Sequence, residues 1–200
     1  MLYIKFKIQD ASKFEDFKRL YNHMVQVRQP GFQFDDEGPE FDWDNMTKDE
    51  VDVALKKLNT YLDEQVEPEK YRCKALFPDY VNSFLKTYLR AEYENFDLEN
   101  EPDVVPIFNY LEYSFEVDMN NLKKTNKHMG IVEFSTANYP FGGMERFIIT
   151  LAAYDLKPVT CFDGYNVCDF SWTSQFKYVS IIQSKKNIFR IFKNVFIKDS

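Results

Sequence analysis

Apolar and polar residues alternate from Leu2 to Ile8, where Leu2, Ile4, Phe6 and Ile8 are separated by Tyr3, Lys5 and Lys7. A period of two is that of a strand with one buried face. The period then lengthens, and Phe14, Phe17, Leu20, Tyr21 and Met24 recur at helical spacing. This predicts a helix opening on a capping box, Ser12 to Glu15, and running to about Arg28, ahead of Pro30–Gly31. A second capping box, Thr47 to Glu50, opens a helix with the apolar stripe Val51, Leu55, Leu58 and Leu62, ending near Pro68. Pro78 suits the first turn of a third helix, where a missing amide costs nothing. Val81, Phe84, Leu85, Tyr88 and Leu89 form the apolar face of that helix.

Farther on, Val104 to Val117 predicts a long strand with Ile107, Leu111, Tyr113, Phe115 and Val117 on one face. A polar connection over Met119 to Lys127 leads to another strand, Ile131 to Ser135. The following helix, over 142–156, places Phe147, Ile148, Leu151 and Leu156 against the sheet. It should stop at Lys157–Pro158, because a residue before proline avoids helical geometry. Asp163–Gly164 between two alternating runs predicts a type I′ hairpin. That turn pairs Phe162 with Tyr165, Cys161 with Asn166 and Val159 with Cys168, leaving Val159, Cys161, Cys168, Phe170 and Trp172 on the core face. Phe176 to Ile182 is a further predicted strand. The class is therefore α+β, a mostly antiparallel sheet with helices on one face. Without the helical insertion at about 47–90, the order β-α-β-β-α-β matches the ferredoxin-like split unit. Such a scaffold hosts many activities and settles none.

Composition adds that the chain is built to pack. It carries 44% hydrophobic residues, 20 Phe and 13 Tyr against 6 Gly and 8 Pro, which excludes a disordered chain. One domain over 1–200 is expected, with an acidic helical insertion at 32–103 and a basic, aromatic tail at 185–200. The tail interleaves Lys185, Lys186, Arg190, Lys193 and Lys198 with Ile188, Phe189, Ile191, Phe192, Val195 and Phe196. It fits either a helix or a strand, and it offers a route to self-association.

Charge changes the picture of function. The net charge of −7 and pI of about 5.0 count against direct nucleic-acid binding, which needs a basic footprint to displace counterions. Nine acids lie between Asp35 and Asp52 with only Lys48 to offset them, and six acids lie between Glu92 and Asp103 with no base. The N-terminus lacks the apolar core of a secretory signal. No apolar run reaches the length of a spanning helix. Cys73, Cys161 and Cys168 read as reduced thiols. A cytoplasmic protein without a membrane span is expected.

Two stretches are candidate sites. Phe32, Phe34, Phe41 and Trp43 lie among Asp35, Asp36, Glu37, Asp42 and Asp44. Aromatic anchors inside a charged rim are what a protein contact requires. They point to an acidic inhibitor or immunity-type protein that meets a partner with a basic surface. The alternative is a small anionic ligand or nucleotide, with or without catalysis, at the loop before the 142–156 helix. There Ser135, Thr136, Asn138 and Tyr139 supply donors, Gly142 and Gly143 allow close approach, and Glu145 and Arg146 open the helix. That loop matches no phosphate-binding fingerprint. His23 and His128 are the only histidines and read as surface or rim residues, so no metal or cofactor is expected and a non-enzymatic role is favoured.

Overall fold

The computed structural model describes residues 1–34, 39–63, 68–92, 101–136 and 143–183. Strand β1 (Leu2–Ile8) alternates as its sequence predicts, with Ile4, Phe6 and Ile8 buried. Helix α1 (Ala11–Gln26) buries Phe14, Phe17, Leu20, Tyr21 and Met24. Its cap is not the expected Ser12 box. Asp10 Oδ1 accepts the Ser12 amide at 2.8 Å and the Ser12 hydroxyl at 2.7 Å, so the helix starts one residue before Ser12. Glu15 pairs instead with Lys124, at 3.0 Å.

Helix α2 (Lys48–Asp63) does open on the Thr47–Glu50 box, with the Thr47 amide 2.8 Å from Glu50 Oε2. Its expected apolar stripe is not buried. Ala54 is buried, whereas Leu55 and Leu62 are 43% and 55% exposed. Pro68 does not merely follow a helix but begins another, α3 (Pro68–Leu76), which buries Cys73. Helix α4 (Asp79–Glu92) buries Val81, Leu85 and Tyr88 as expected.

The predicted strand over 104–117 is helical. Helix α5 (Val105–Asn109) runs into a π-helical turn, Tyr110–Ser114, closed by the Phe115 amide on the Tyr110 carbonyl at 2.8 Å. Pro106 sits in the first turn of α5, where no amide is needed. Val104, Ile107, Phe108, Leu111 and Phe115 are all buried, a helical spacing that the apparent alternation concealed. The supposed connection over 119–127 is strand β2 (Asp118–Asn126), paired with β3 (Met129–Ser135). It lies at an edge of the sheet, which is why polar residues dominate it.

Helix α6 (Glu145–Ala153) is shorter than predicted. It ends before Asp155, whose φ of 55° is left-handed, and Lys157 and Pro158 already belong to β4 (Leu156–Phe162). A bulge at Val159 moves the register, so Pro158 pairs with Phe6 and Cys161 with Ile4. Val159 therefore leaves the simple alternation assigned to it.

The hairpin to β5 (Val167–Trp172) also differs. Asp163 Oδ1 accepts the amides of Tyr165 at 2.8 Å and Asn166 at 2.7 Å, which places Gly164 and Tyr165 at the centre of the turn. Only Gly164 has a positive φ, 101°, so the turn is not type I′. The pairs become Phe162 with Val167 and Cys161 with Cys168. Strand β6 (Tyr178–Ile182) is shorter than expected. Phe176 instead packs edge-on against Phe84 at 5.2 Å.

All six strands pair antiparallel in the order β2-β3-β1-β4-β5-β6. The α+β class stands. Both β1 and β3 are interior, and the helices cover the face bearing Ile4, Phe6, Val132, Phe134, Leu156 and Cys161. On that face Gly130 stands opposite Phe6. A Cβ there would lie 2.3 Å from the Phe6 ring, which is fully buried and has nowhere to go. Gly130→Ala is therefore expected to cost about 1–3 kcal/mol from overpacking, measured as a lower urea midpoint; an unchanged midpoint would show that the ring moves freely.

The tail at 185–200 lies outside the described residues, as does the choice between helix and strand there.

Candidate functional site

The acidic aromatic segment divides into two parts. Asp35, Asp36 and Glu37 lie outside the described residues. Phe32 and Phe34 fold back on the helices. The Arg72 guanidinium lies 4.1 Å from the Phe34 ring centre, and Tyr113 and Phe32 pack on the same ring at 5.6 and 4.9 Å. Both rings are half-buried in this cluster.

Phe41 and Trp43 behave differently. Their rings meet at 5.2 Å at a 3₁₀ turn, Trp43–Asn45, fastened by Asp42 Oδ2 accepting from the Asn45 amide group at 2.7 Å. Trp43 remains 44% exposed, and its chain neighbours Asp42 and Asp44, like Asp49 and Asp52 of α2, are exposed. A shallow cavity of about 360 Å³ is lined by Phe41, Met46, Val53 and Ala54 together with Asp49, Glu50 and Lys57. Of its lining, Val53 is 53% exposed. Of the sequence-derived set, Phe41, Asp42, Trp43 and Asp44 thus stay together on the surface.

Behind Phe34 is a charged cluster that the sequence did not reveal. The Glu112 side chain is fully buried. Its Oε1 lies 2.6 Å from His23 Nε2 and 2.9 Å from Arg72 Nε, and Arg72 Nη2 reaches Oε2 at 3.2 Å. A carboxylate only accepts, so the imidazole donates here. His23 also stacks on Phe108 at 6.0 Å. It is therefore an interior bridge between α1 and the π-turn and not a surface histidine. Arg28 completes the region. Its Nε donates to the Val117 carbonyl, Nη1 to Met24, and Nη2 to Leu111 and Phe115, all within 2.7–2.8 Å. Burial lowers its pKa to about 10. Reading 104–117 as a strand puts Glu112 on the face opposite Leu111 and Phe115. A helical reading of the same residues was the signal that would have found it.

The described residues at the two ends of the loop before α6 line different cavities. Ser135 and Thr136 line a cleft of about 470 Å³ with Arg28, Glu116 and Asp118. Two exposed carboxylates stand in that wall, and the arginine is committed to four carbonyls, so the cleft is poorly suited to an anion. Thr136 Oγ1 is buried without a hydrogen-bond partner among the described residues. Glu145 and Arg146 line a different cavity with Tyr88, Leu89, Pro106 and Ile107. Gly143, with φ of 70°, has its carbonyl bonded by the Tyr110 hydroxyl, and Arg146 lies over the Tyr110 ring at 5.3 Å. Asn138, Tyr139 and Gly142 lie outside the described residues.

Cys73, Cys161 and Cys168 are free and buried. Burial pushes the Cys73 and Cys161 thiols up to about 12, which makes both poor nucleophiles at neutral pH. Among the described residues no group of three or more His, Cys, Asp or Glu could hold a metal ion, and no helix is long and apolar enough to cross a membrane. Comparison with protein-family models, curated proteins and solved structures finds no match to this chain.

Proposed function

We propose that the protein binds a basic macromolecular partner, in the manner of an acidic inhibitor or immunity-type protein, through the surface formed by Phe41, Trp43 and the start of α2. The observation that supports this reading is the exposed Trp43, packed on Phe41 and flanked in the chain by the exposed Asp42 and Asp44. A large rigid aromatic supplies contact area at little entropic cost, and the acids speed encounter with a positive surface. The three buried thiols suit a reducing, cytoplasmic setting.

The test is affinity capture from the native cell with wild-type protein and with Trp43→Ala. Wild type is expected to retain a basic partner that salt releases. Removing the anchor should weaken binding about 30-fold, the effect of losing one hot-spot side chain. Capture that salt and Trp43→Ala both leave unchanged would overturn the reading, as would retention of no basic protein.

A further inference from the structure

The two edges of the sheet are built differently. At one edge, β2 carries Lys123 and Lys124 and two register shifts against β3. Charges and bulges of this kind keep an edge from pairing with another chain. At the other edge, β6 reads Tyr-Val-Ser-Ile-Ile, with no charge, no proline and no register shift against β5. Its second edge pairs with nothing among the described residues. Val179 and Ile181 are 54% and 55% exposed on the face away from the helices, and Ile182 is 60% exposed on the other face.

We propose that the free edge of β6 pairs antiparallel with β6 of a second copy of this chain, joining two six-stranded sheets across a two-fold axis at Ser180. A two-fold interface requires a self-complementary patch, and this strand provides one. Centring the pair on Ser180 sets Val179 opposite Ile181 of the partner copy on the outer face, and Tyr178 opposite Ile182 on the helix side. The exposed apolar residues then cover one another on both faces. The flanking Lys177 falls opposite Gln183, so no like charges meet, which distinguishes this pairing from one at the lysine-bearing β2 edge. Main-chain hydrogen bonds along the new ladder supply the rest of the contact. The surface around Trp43 takes no part, so the interface leaves it available to a partner.

Sedimentation of the full chain over a range of concentrations tests the idea. The 23.9 kDa chain should give way to a species of twice that mass as concentration rises. Ile181→Lys alters only an exposed side chain and should raise the dimer dissociation constant by about tenfold or more, with an unchanged circular dichroism spectrum. Ser180→Cys should form an intermolecular disulfide under oxidation, because the two-fold axis brings residue 180 of each copy together. Outward-pointing β6 amides should gain protection from hydrogen exchange as concentration rises. A full chain that stays monomeric throughout would overturn the proposal. So would β6 amides protected equally at every concentration, which would mean that the chain covers its own edge. A dimer unaffected by Ile181→Lys and not cross-linked through Ser180→Cys would place the contact elsewhere and overturn it equally.

Discussion

Arg28→Ala should lower the free energy of unfolding by about 3–5 kcal/mol, because several carbonyls lose a charged donor at about 1–3 kcal/mol each. Among the described residues Arg28 forms no ion pair with a carboxylate; it gathers the carbonyls of Met24, Leu111, Phe115 and Val117. The first closes the end of α1. The other three belong to the π-turn and its exit, where five-residue spacing has left acceptors without an ordinary helical partner. Alanine would leave these acceptors in a space lined by Phe115 and Val117, both buried. Each orphaned group costs about 1–3 kcal/mol unless water reaches it. For a chain of this size the melting temperature should fall by roughly 10 °C. Arg28→Lys should fall in between, because an ammonium has three donors on a flexible stem and cannot span four acceptors. A loss of under about 1 kcal/mol for the alanine variant would show that the π-turn is held by its apolar contacts alone.

The second large effect is expected at Glu112. Its carboxylate is the shared acceptor for His23 on α1 and Arg72 on α3, so one side chain ties two helices to the π-turn. Glu112→Ala removes the shared acceptor of His23 and Arg72, whose side chains are only 15% and 17% exposed, although Arg72 keeps its contact with the Tyr113 hydroxyl. The expected cost is about 3–5 kcal/mol, and part of it should appear as increased mobility of α3 and of Phe34, which packs on Arg72. Changing Glu112→Leu together with Arg72→Met removes charge and counter-charge at once and should recover much of the loss, since a well-packed apolar replacement of a buried pair is often neutral. Denaturant unfolding of the single and double variants checks this. If the double variant proves no more stable than Glu112→Ala, the buried carboxylate is needed for reasons other than pairing.

Both predictions concern a region that the sequence misrepresented, and the reason is physical. Over 104–117, Leu111, Tyr113, Phe115 and Val117 alternate with polar residues, while Val104, Ile107, Phe108, Leu111 and Phe115 recur at helical spacing. Both periods are present in the same residues. Pro106 and the Asp103 carboxylate, which accepts the Val105 amide at 3.0 Å, favour the helical start. Burial of Phe108 against His23 and Phe77 then outweighs the alternation. Local competition of the same kind decided the hairpin. Asp163–Gly164 fits a type I′ turn, but the Asp163 carboxylate captures two amides and moves the turn by one residue. At α1, Asp10 reaches the amide of Ser12 before Ser12 itself can cap the helix.

The candidate site was legible only as far as composition can reach. Four aromatics among acids were plain to see, but nothing local distinguishes an aromatic that folds inward from one that stays outside. Phe34 found Arg72, Tyr113 and His23, which are remote in sequence. Among the described residues Phe41 packs on Trp43 and lies beside the start of α2, and Trp43 stays exposed.

Local sequence by itself determined β1, the apolar faces of α1 and α4, the capping box of α2 and the α+β class. Each of these depends on neighbours within a few residues, where helix and strand geometry leave few choices. Tertiary structure decided what depends on remote contacts: a helical 104–117, the buried His23–Glu112–Arg72 cluster, the bulge that admits both Pro158 and Cys161 to the core, and which strand was left with an open apolar edge. Those outcomes were set by which surfaces met in three dimensions, because the free energy of burying an aromatic ring or pairing a buried charge exceeds the few tenths of a kcal/mol that local preference supplies.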